Sequence, residues 1–261
     1  EGSLPNINGC TFSNNTIVEW YHSPDVPFVG HGGGIQIRDM DYSFNEGEFA
    51  QIINSEFINN FATVGGGGIF IYDSDVNISN STISNNSSGD GGGGGISVQY
   101  SELNIHNSVI DSNTSAGAGG GIVGNSNIIL IENTLFDNNT ALPPMGGALA
   151  FWEGNETIIN CTIVNNNAPN QGAIHSERDN LTINNSIIYN NQGSNPIVFG
   201  GNDIVQDGLQ LYISYSNIEY GQGGINTDNG TLHWLEGNID ADPLFCDSDN
   251  GDFTVRSDSP V

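Results

Sequence analysis

Residues 76–86 read Val76-Asn77-Ile78-Ser79-Asn80-Ser81-Thr82-Ile83-Ser84-Asn85-Asn86, and after glycines at 91–95 the chain resumes as Ile96-Ser97-Val98. Val76, Ile78 and Ile83 alternate with small polar residues, the period-2 pattern of strands with one buried face. Asn tolerates left-handed backbone and Gly accepts dihedrals closed to other residues, so the Asn pair and the glycines mark turns. The unit recurs. Between Asn60, Asn86, Asn113 (here without a paired Asn), Asn139, Asn166 and Asn191 the steps are 26, 27, 26, 27 and 25 residues. Glycines at 65–68, 91–95, 119–121 and 146–147 precede Ile69, Ile96, Ile122 and Ala148 with the same step, and Gly172 before Ala173 is a worn copy. Two independent markers therefore share one register. No stretch places apolar residues at i, i+3, i+4 and i+7, so few helices are expected.

One coil per repeat, with strands stacked in register, is a parallel β-helix. A coil cannot bury its apolar face alone, whereas neighbours at about 4.8 Å complete each other's hydrogen bonds. A propeller blade needs about 40–45 residues, and a sandwich has no such strict period. The predicted class is all-β, a single-stranded solenoid of about eight or nine coils of roughly 26 residues, on the order of 40 Å long. Stacked Asn side chains from successive coils are expected to form a ladder, a structural role for most of the asparagines.

Phe57-Ile58-Asn59-Asn60 followed by Gly66-Gly67-Gly68-Ile69 resembles the repeats of right-handed parallel β-helix proteins. In particular it resembles the FxxN and GGA(I/L/V) repeats of polymorphic outer-membrane-protein adhesins. Phe136-Asp137-Asn138-Asn139 with Gly146-Gly147-Ala148-Leu149 is the nearest copy. Asp242-Pro243-Leu244-Phe245, Gly251-Asp252-Phe253-Thr254-Val255 and Ser259-Pro260 resemble the closing segment of large bacterial secreted β-helix surface proteins. The resemblance covers nearly the whole chain and implies one right-handed solenoid domain, 1–261, in an extracellular or cell-surface setting. These are scaffold motifs, so they carry the fold further than the function.

The chain has 261 residues, 36 of them glycine, with 30 Asp plus Glu against 3 Lys plus Arg, a net charge of −27. There is no lysine, and Arg38, Arg178 and Arg256 are the whole strong-base inventory. Nucleic acid is excluded as a partner, since it requires clustered Lys/Arg to displace phosphate counterions. An anionic membrane surface is disfavoured for the same reason. The hydrophobic share of 36% is low for a globular domain, but the apolar residues fall in alternating runs rather than at random. No run of 18 apolar residues is present, so no membrane span is expected. No basic segment followed by an apolar one marks a signal peptide. The sequence opens mid-pattern at Glu1 and stops at Ser259-Pro260-Val261, as expected of a processed or trimmed piece. Cys10 and Cys161 occupy equivalent places in distant repeats and cannot meet; with Cys246 they read as small thiols, free of any CxxC pair. Asn-x-Ser/Thr sequons such as Asn80-Ser81-Thr82 and Asn229-Gly230-Thr231 arise by chance in so Asn-rich a chain.

Breaks in a solenoid are where function is inserted. From Asn15 to Asn60 the step is 45 residues. This insertion-bearing region, 16–50, holds Trp20, Tyr21, His22, Tyr42 and Phe44, and Trp152 beside Glu153 reads as a further aromatic on a turn. Such rings suit the flat faces of neutral sugars, with carboxylates as hydrogen-bond acceptors. The competing reading is a lid that caps the first coil against edge pairing. A looser region, 193–224, and a C-terminal cap, 240–261, complete the organisation.

Many β-helix proteins cut acidic polysaccharides with Asp pairs or with a base positioned by Arg or Lys. The enzyme candidates are His31, Arg38, Asp39 and Asp41, and secondly His175 with Arg178 in Glu177-Arg178-Asp179. On one strand Arg38 and the two acids take opposite faces, and the chain's charge repels a polyuronate. Asp247, Asp249 and Asp252 in Asp247-Ser248-Asp249-Asn250-Gly251-Asp252 resemble a calcium loop. Asn and Gly fall one place early against the EF-hand pattern, and no downstream Glu closes it. Asp73-Ser74-Asp75 and Asp240-Ala241-Asp242 are shorter fragments of the same kind. The alternative reading is a solvated acidic turn. Calcium is the one cofactor the sequence suggests.

The expected function is a non-enzymatic surface module acting in adhesion, glycan binding or spacing, with a carbohydrate or cell-surface ligand as partner. A polysaccharide lyase or glycoside hydrolase is the first alternative. A self-associating surface-layer or filament subunit is the second.

Overall fold

A computed structural model describes residues 4–18, 31–38, 49–142, 145–169, 171–200 and 208–261. Every coil repeats the same itinerary through parallel sheets. Sheet I has nine strands, sheet II eight and sheet IV eight, while sheet III, between II and IV, has five. The coil from Val76 shows the order: Val76–Ser79 in sheet I, Thr82–Ser84 in II, Ser87–Asp90 in III and Ile96–Gln99 in IV. Registers in sheet I run Ala50↔Val76, Val76↔Leu103, Leu103↔Ile129, Ile129↔Glu156, Glu156↔Leu181 and Leu181↔Leu211. These steps mark about six regular turns rather than eight or nine. The end strands extend the sheets, but the long steps at both ends (Ile7 to Ile52, Leu181 to Leu211) carry insertions that spoil the count. Among the described residues the helical segments are two short 3-10 turns, Gly221–Gly224 and Ser248–Asn250.

The corners explain the sequence. Each is two residues long: the first takes left-handed backbone and points outward, and the second turns inward and bonds to the next coil. Between sheets I and II the left-handed places are Gly9, Asn54, Asn80, Asn107, Asn133, Asn160, Asn185 and Tyr215. After the strands of sheet II they are Asn14, Asn59, Asn85, Ser112, Asn138, Asn165, Asn190 and Tyr220. Ser112 is why Asn113 has no paired Asn in the sequence. The inward places at this second corner form the expected ladder. The side-chain amide of Asn60 donates to Asn86 Oδ1 at 3.0 Å, Asn86 to Asn113 at 3.0 Å, and Asn113 to Asn139 at 3.0 Å. Each Oδ1 also accepts the backbone N–H of the Asn before it, as Asn113 does from Asn86 at 3.0 Å. The first corner carries a hydroxyl ladder instead, Ser55 to Ser81 to Ser108 to Thr134. Cys10 and Cys161 sit on rungs of this ladder, their backbone N–H groups donating to Ser55 and Ser186.

The glycines have a steric cause. A Cβ on Gly66 would run into the carbonyl of Ile69, and one on Gly94 would meet the backbone of the next coil at Gly120 and Thr114. The chain crosses between sheets III and IV with no room for side chains. Inside, aliphatic columns such as Ile69, Ile96, Ile122, Leu149, Ile174 and Ile197 are fully buried. Phe12 and Phe57 stack at 4.8 Å with rings 5° apart. The C-terminal segment forms an antiparallel hairpin, Phe245–Asp247 with Asp252–Val255, whose Phe245 and Phe253 meet edge to face at 5.3 Å. It shares a groove with Val164, Asn165, Tyr189 and Asn190, so it lies along the flank of sheet II.

Candidate functional site

The third corner, from sheet IV to sheet I, breaks the Asn rule. Its left-handed places are held by Asp73, Tyr100, Ser126, Glu153 and Arg178. Asn and Asp bond locally in this conformation and adopt it readily, whereas Tyr, Glu and Arg lose roughly 1 kcal/mol or more each. Asn fills most left-handed places at the other two corners, with Gly9, Ser112, Tyr215 and Tyr220 as the exceptions, and none here.

Outward residues of sheet IV run beside this corner. Registers Arg38↔Tyr72, Tyr72↔Gln99, Gln99↔Asn125, Asn125↔Trp152 and Trp152↔Glu177 make one column across adjacent coils. Tyr72 meets Tyr100 edge to face at 5.7 Å, and Tyr100 is 57% exposed. Trp152 lies three strand steps away, about 14 Å at 4.8 Å per step. Its indole N–H donates to Glu177 Oε2 at 3.2 Å, and its ring tilts against His175 at 5.7 Å. Gln99 and Asn125 stand between the aromatic ends. Along the corner itself runs an open groove of about 410 Å³ lined by Asp73, Asp75, Tyr100, Glu102, Ile128 and Glu153.

Two sequence candidates thus converge. Trp152 is on the strand Leu149–Trp152 rather than a turn, and only Glu153 takes the corner. His175 and Glu177 lie on the neighbouring strand Ile174–Glu177, and Arg178 at its corner reaches back to Glu153 at 3.0 Å. His175 Nε2 is 3.5 Å from Glu177 Oε2, yet the ring is 5% exposed. Burial holds the imidazole below its ordinary pKa, against the opposing pull of Glu177 and Asp228. A neutral, enclosed ring supports Trp152 and does not meet solvent.

Beneath the corner the core departs from its aliphatic pattern. Glu156 occupies an inward place between Ile129 and Leu181 and is 2% exposed. Its carboxyl lies where a Cβ on Gly154 would be, so Gly154 makes the room. Asp179, 1% exposed, takes the rung place on the next coil. Its Oδ1 accepts the Gly154 N–H and its Oδ2 the Ser176 hydroxyl, the latter at 3.2 Å. Burial, then the Asp179 charge, pushes Glu156 up to about 9. Burial likewise raises Asp179 to about 7, against hydrogen bonds from Gly154, Ser176 and Glu177 and the charge of Arg178. Sequence reading missed Glu156; its signal was an acid standing in register with Val76, Leu103, Ile129 and Leu181.

The remaining candidates scatter. His31 meets Phe70 at 4.8 Å and Arg38 ends the strand Ile35–Arg38 at the far end of the column from Trp152. Asp39, Asp41, Trp20, Tyr21, His22, Tyr42 and Phe44 lie outside the described residues. Asp247 uses both carboxylate oxygens on the Asn250 amide, at 3.0 and 2.9 Å. Asp252 Oδ1 accepts from the Thr254 backbone at 3.0 Å and from its hydroxyl, which holds Asp252 below the usual carboxylate range. Asp249 is exposed in the 3-10 turn. Among the described residues no group of three or more His, Cys, Asp or Glu is arranged to hold a metal ion, and no helix is long and apolar enough to cross a membrane.

Residues 1–239 match the family model described as right handed beta helix region. No curated protein and no solved structure matches the chain.

Proposed function

The chain belongs to the right-handed β-helix family, and from that scaffold we propose a non-enzymatic, extracellular glycan-binding module whose binding face is the sheet IV to sheet I corner. The observation that carries the reading is the left-handed column of Asp73, Tyr100, Ser126, Glu153 and Arg178 where the other corners hold mainly Asn. Aromatic rings at both ends and amides between them form a platform about 14 Å long, three strand steps, the length of a short oligosaccharide. The groove carboxylates accept hydrogen bonds from sugar hydroxyls. They also repel uronates, so the ligand is a neutral glycan.

Paired carboxylates with raised pKa values are a mark of acid–base catalysis. Glu156 and Asp179 have the values, but both are closed inside the solenoid. No substrate bond reaches them, which is why the binding reading is preferred to the enzyme.

The test is an array of neutral and uronate oligosaccharides with the wild type, Trp152→Ala and Tyr100→Ala. Neutral glycans bind, each substitution weakens binding about tenfold or more, and no new reducing ends or unsaturated products form. A wild type that binds nothing, or variants that bind like it, would overturn the proposal.

A further inference from the structure

We propose that Glu156 and Asp179 form a proton-operated latch inside the solenoid: a proton on Glu156 keeps the corner closed, and its loss opens the two coils that carry Trp152, Glu153, Glu177 and Arg178. The geometry is specific to these coils. Beside this corner three inward places are polar and buried, namely Glu156, Ser176 and Asp179. In neighbouring coils the first belongs to an aliphatic column, the second to the column Val98, Gly124, Phe151, Phe199, and the third to Ser74, Ser101 and Asn127. Asp179 has bonded donors for both oxygens, whereas Glu156 Oε2 is buried and has no hydrogen-bond partner. An ionised Glu156 would face Asp179 without a donor, which the low-dielectric interior penalises heavily.

Of the other titratable groups around the pair, Arg178 partly offsets Asp179, and none offsets Glu156. Arg178 is engaged with Glu153 on the outer side of the corner, and His175 lies beside Glu177. Asp228 acts on His175 and adds negative potential. Of the flanking strands, Asn180–Asn184 brings no titratable side chain and Ile128–Glu132 brings Glu132 at its far end, paired with His106 at 2.9 Å. The pair is therefore neutralised by protons. Both carboxyls are raised in the folded state, so their contribution is fully present below the unfolded carboxylate range. It is lost as pH rises through about 7 and then about 9.

The latch is tested by stability and exchange rather than by ligand binding, so it stands or falls independently of the glycan reading. Melting curves from pH 5 to 10 are compared for wild type and Glu156→Gln, which keeps the uncharged shape. Between pH 7 and 10 the wild type should lose on the order of 5 °C more than the variant. Above pH 9 the Gly154 amide should exchange faster relative to Ser101, its counterpart two coils away. If Glu156→Gln does not fold, the carboxyl carbon of Glu156 in labelled wild type gives the answer, with a midpoint well above 7. Parallel melting curves, or a Glu156 midpoint below 6, would overturn the latch. So would recovery of the alkaline loss by millimolar Ca²⁺, which would assign the pair to a cation.

Discussion

At the scale of single residues, the ladders turn a compositional bias into a set of hydrogen bonds that cannot be exchanged for packing. Asn113 accepts from the backbone and amide of Asn86, and donates to the Ile83 carbonyl at 2.9 Å and to Asn139. Asn113→Leu keeps the branched shape but orphans the buried Asn86 N–H, so urea unfolding should show a loss of about 2–5 kcal/mol. Cys161 illustrates the opposite tolerance. It accepts from the Thr134 backbone and its own N–H goes to Ser186, as a serine would in that place. Cys161→Ser should therefore change stability by less than about 1 kcal/mol. Burial first, offset by that backbone bond, pushes the thiol up to about 12. In native protein a thiol reagent should label exposed Cys10 and leave Cys161 untouched until unfolding. Labelling of both at equal rates would contradict the rung assignment.

At the scale of elements, the Glu153-Gly154 corner and the strand Asn155–Ile159 behave as one unit. Gly154 lacks the rung side chain because the Glu156 carboxyl fills its place. Gly154→Ser alone drives that carboxyl out, and Glu156→Leu alone leaves a void beside Gly154; the double substitution restores the pattern of the other coils. Equilibrium unfolding of the four proteins should give a favourable coupling of about 1–3 kcal/mol. Additive effects would show that the two places are independent. The acidic hairpin is the element on which to try calcium. If Asp247, Asp249 and Asp252 bind it, millimolar Ca²⁺ raises the melting temperature and a chelator lowers it. With both Asp247 oxygens engaged by Asn250 and Asp252 Oδ1 by Thr254, the expected outcome is no change.

At the scale of the whole molecule, charge and buried acids act in the same direction. A net charge of −27 repels itself in the compact state, and salt screens it. Asp137 is also raised, by burial and by Asp111 on the next coil, which outweigh its bond from Asn165. Carboxyls raised in the folded state stabilise it most at acid pH, where the net charge is also smallest. Melting temperature should thus rise as pH falls from 9 toward 4 and, at neutral pH, as salt increases from 10 to 150 mM. A maximum near pH 8 with no salt response would refute this balance.

The sequence by itself determined the solenoid, its period and its ladders, because each follows from local rules. Alternation builds strands, Asn takes left-handed corners, and Gly passes where Cβ cannot. These rules repeat every 25 to 27 residues, so the repetition declared them. It overstated the number of regular turns, since insertions at the ends keep the composition while losing the step. The candidate face was legible only in fragments: Trp152 was singled out as an aromatic on a turn, and His175 with Arg178 as an enzyme candidate, with nothing to join the two. What joined them was the register between coils, a distance of one strand spacing in space and about 25 residues in sequence. Only the tertiary structure revealed that Glu156 points inward and that the third corner forgoes Asn. Burial and facing are properties of the stack, and no single coil carries them.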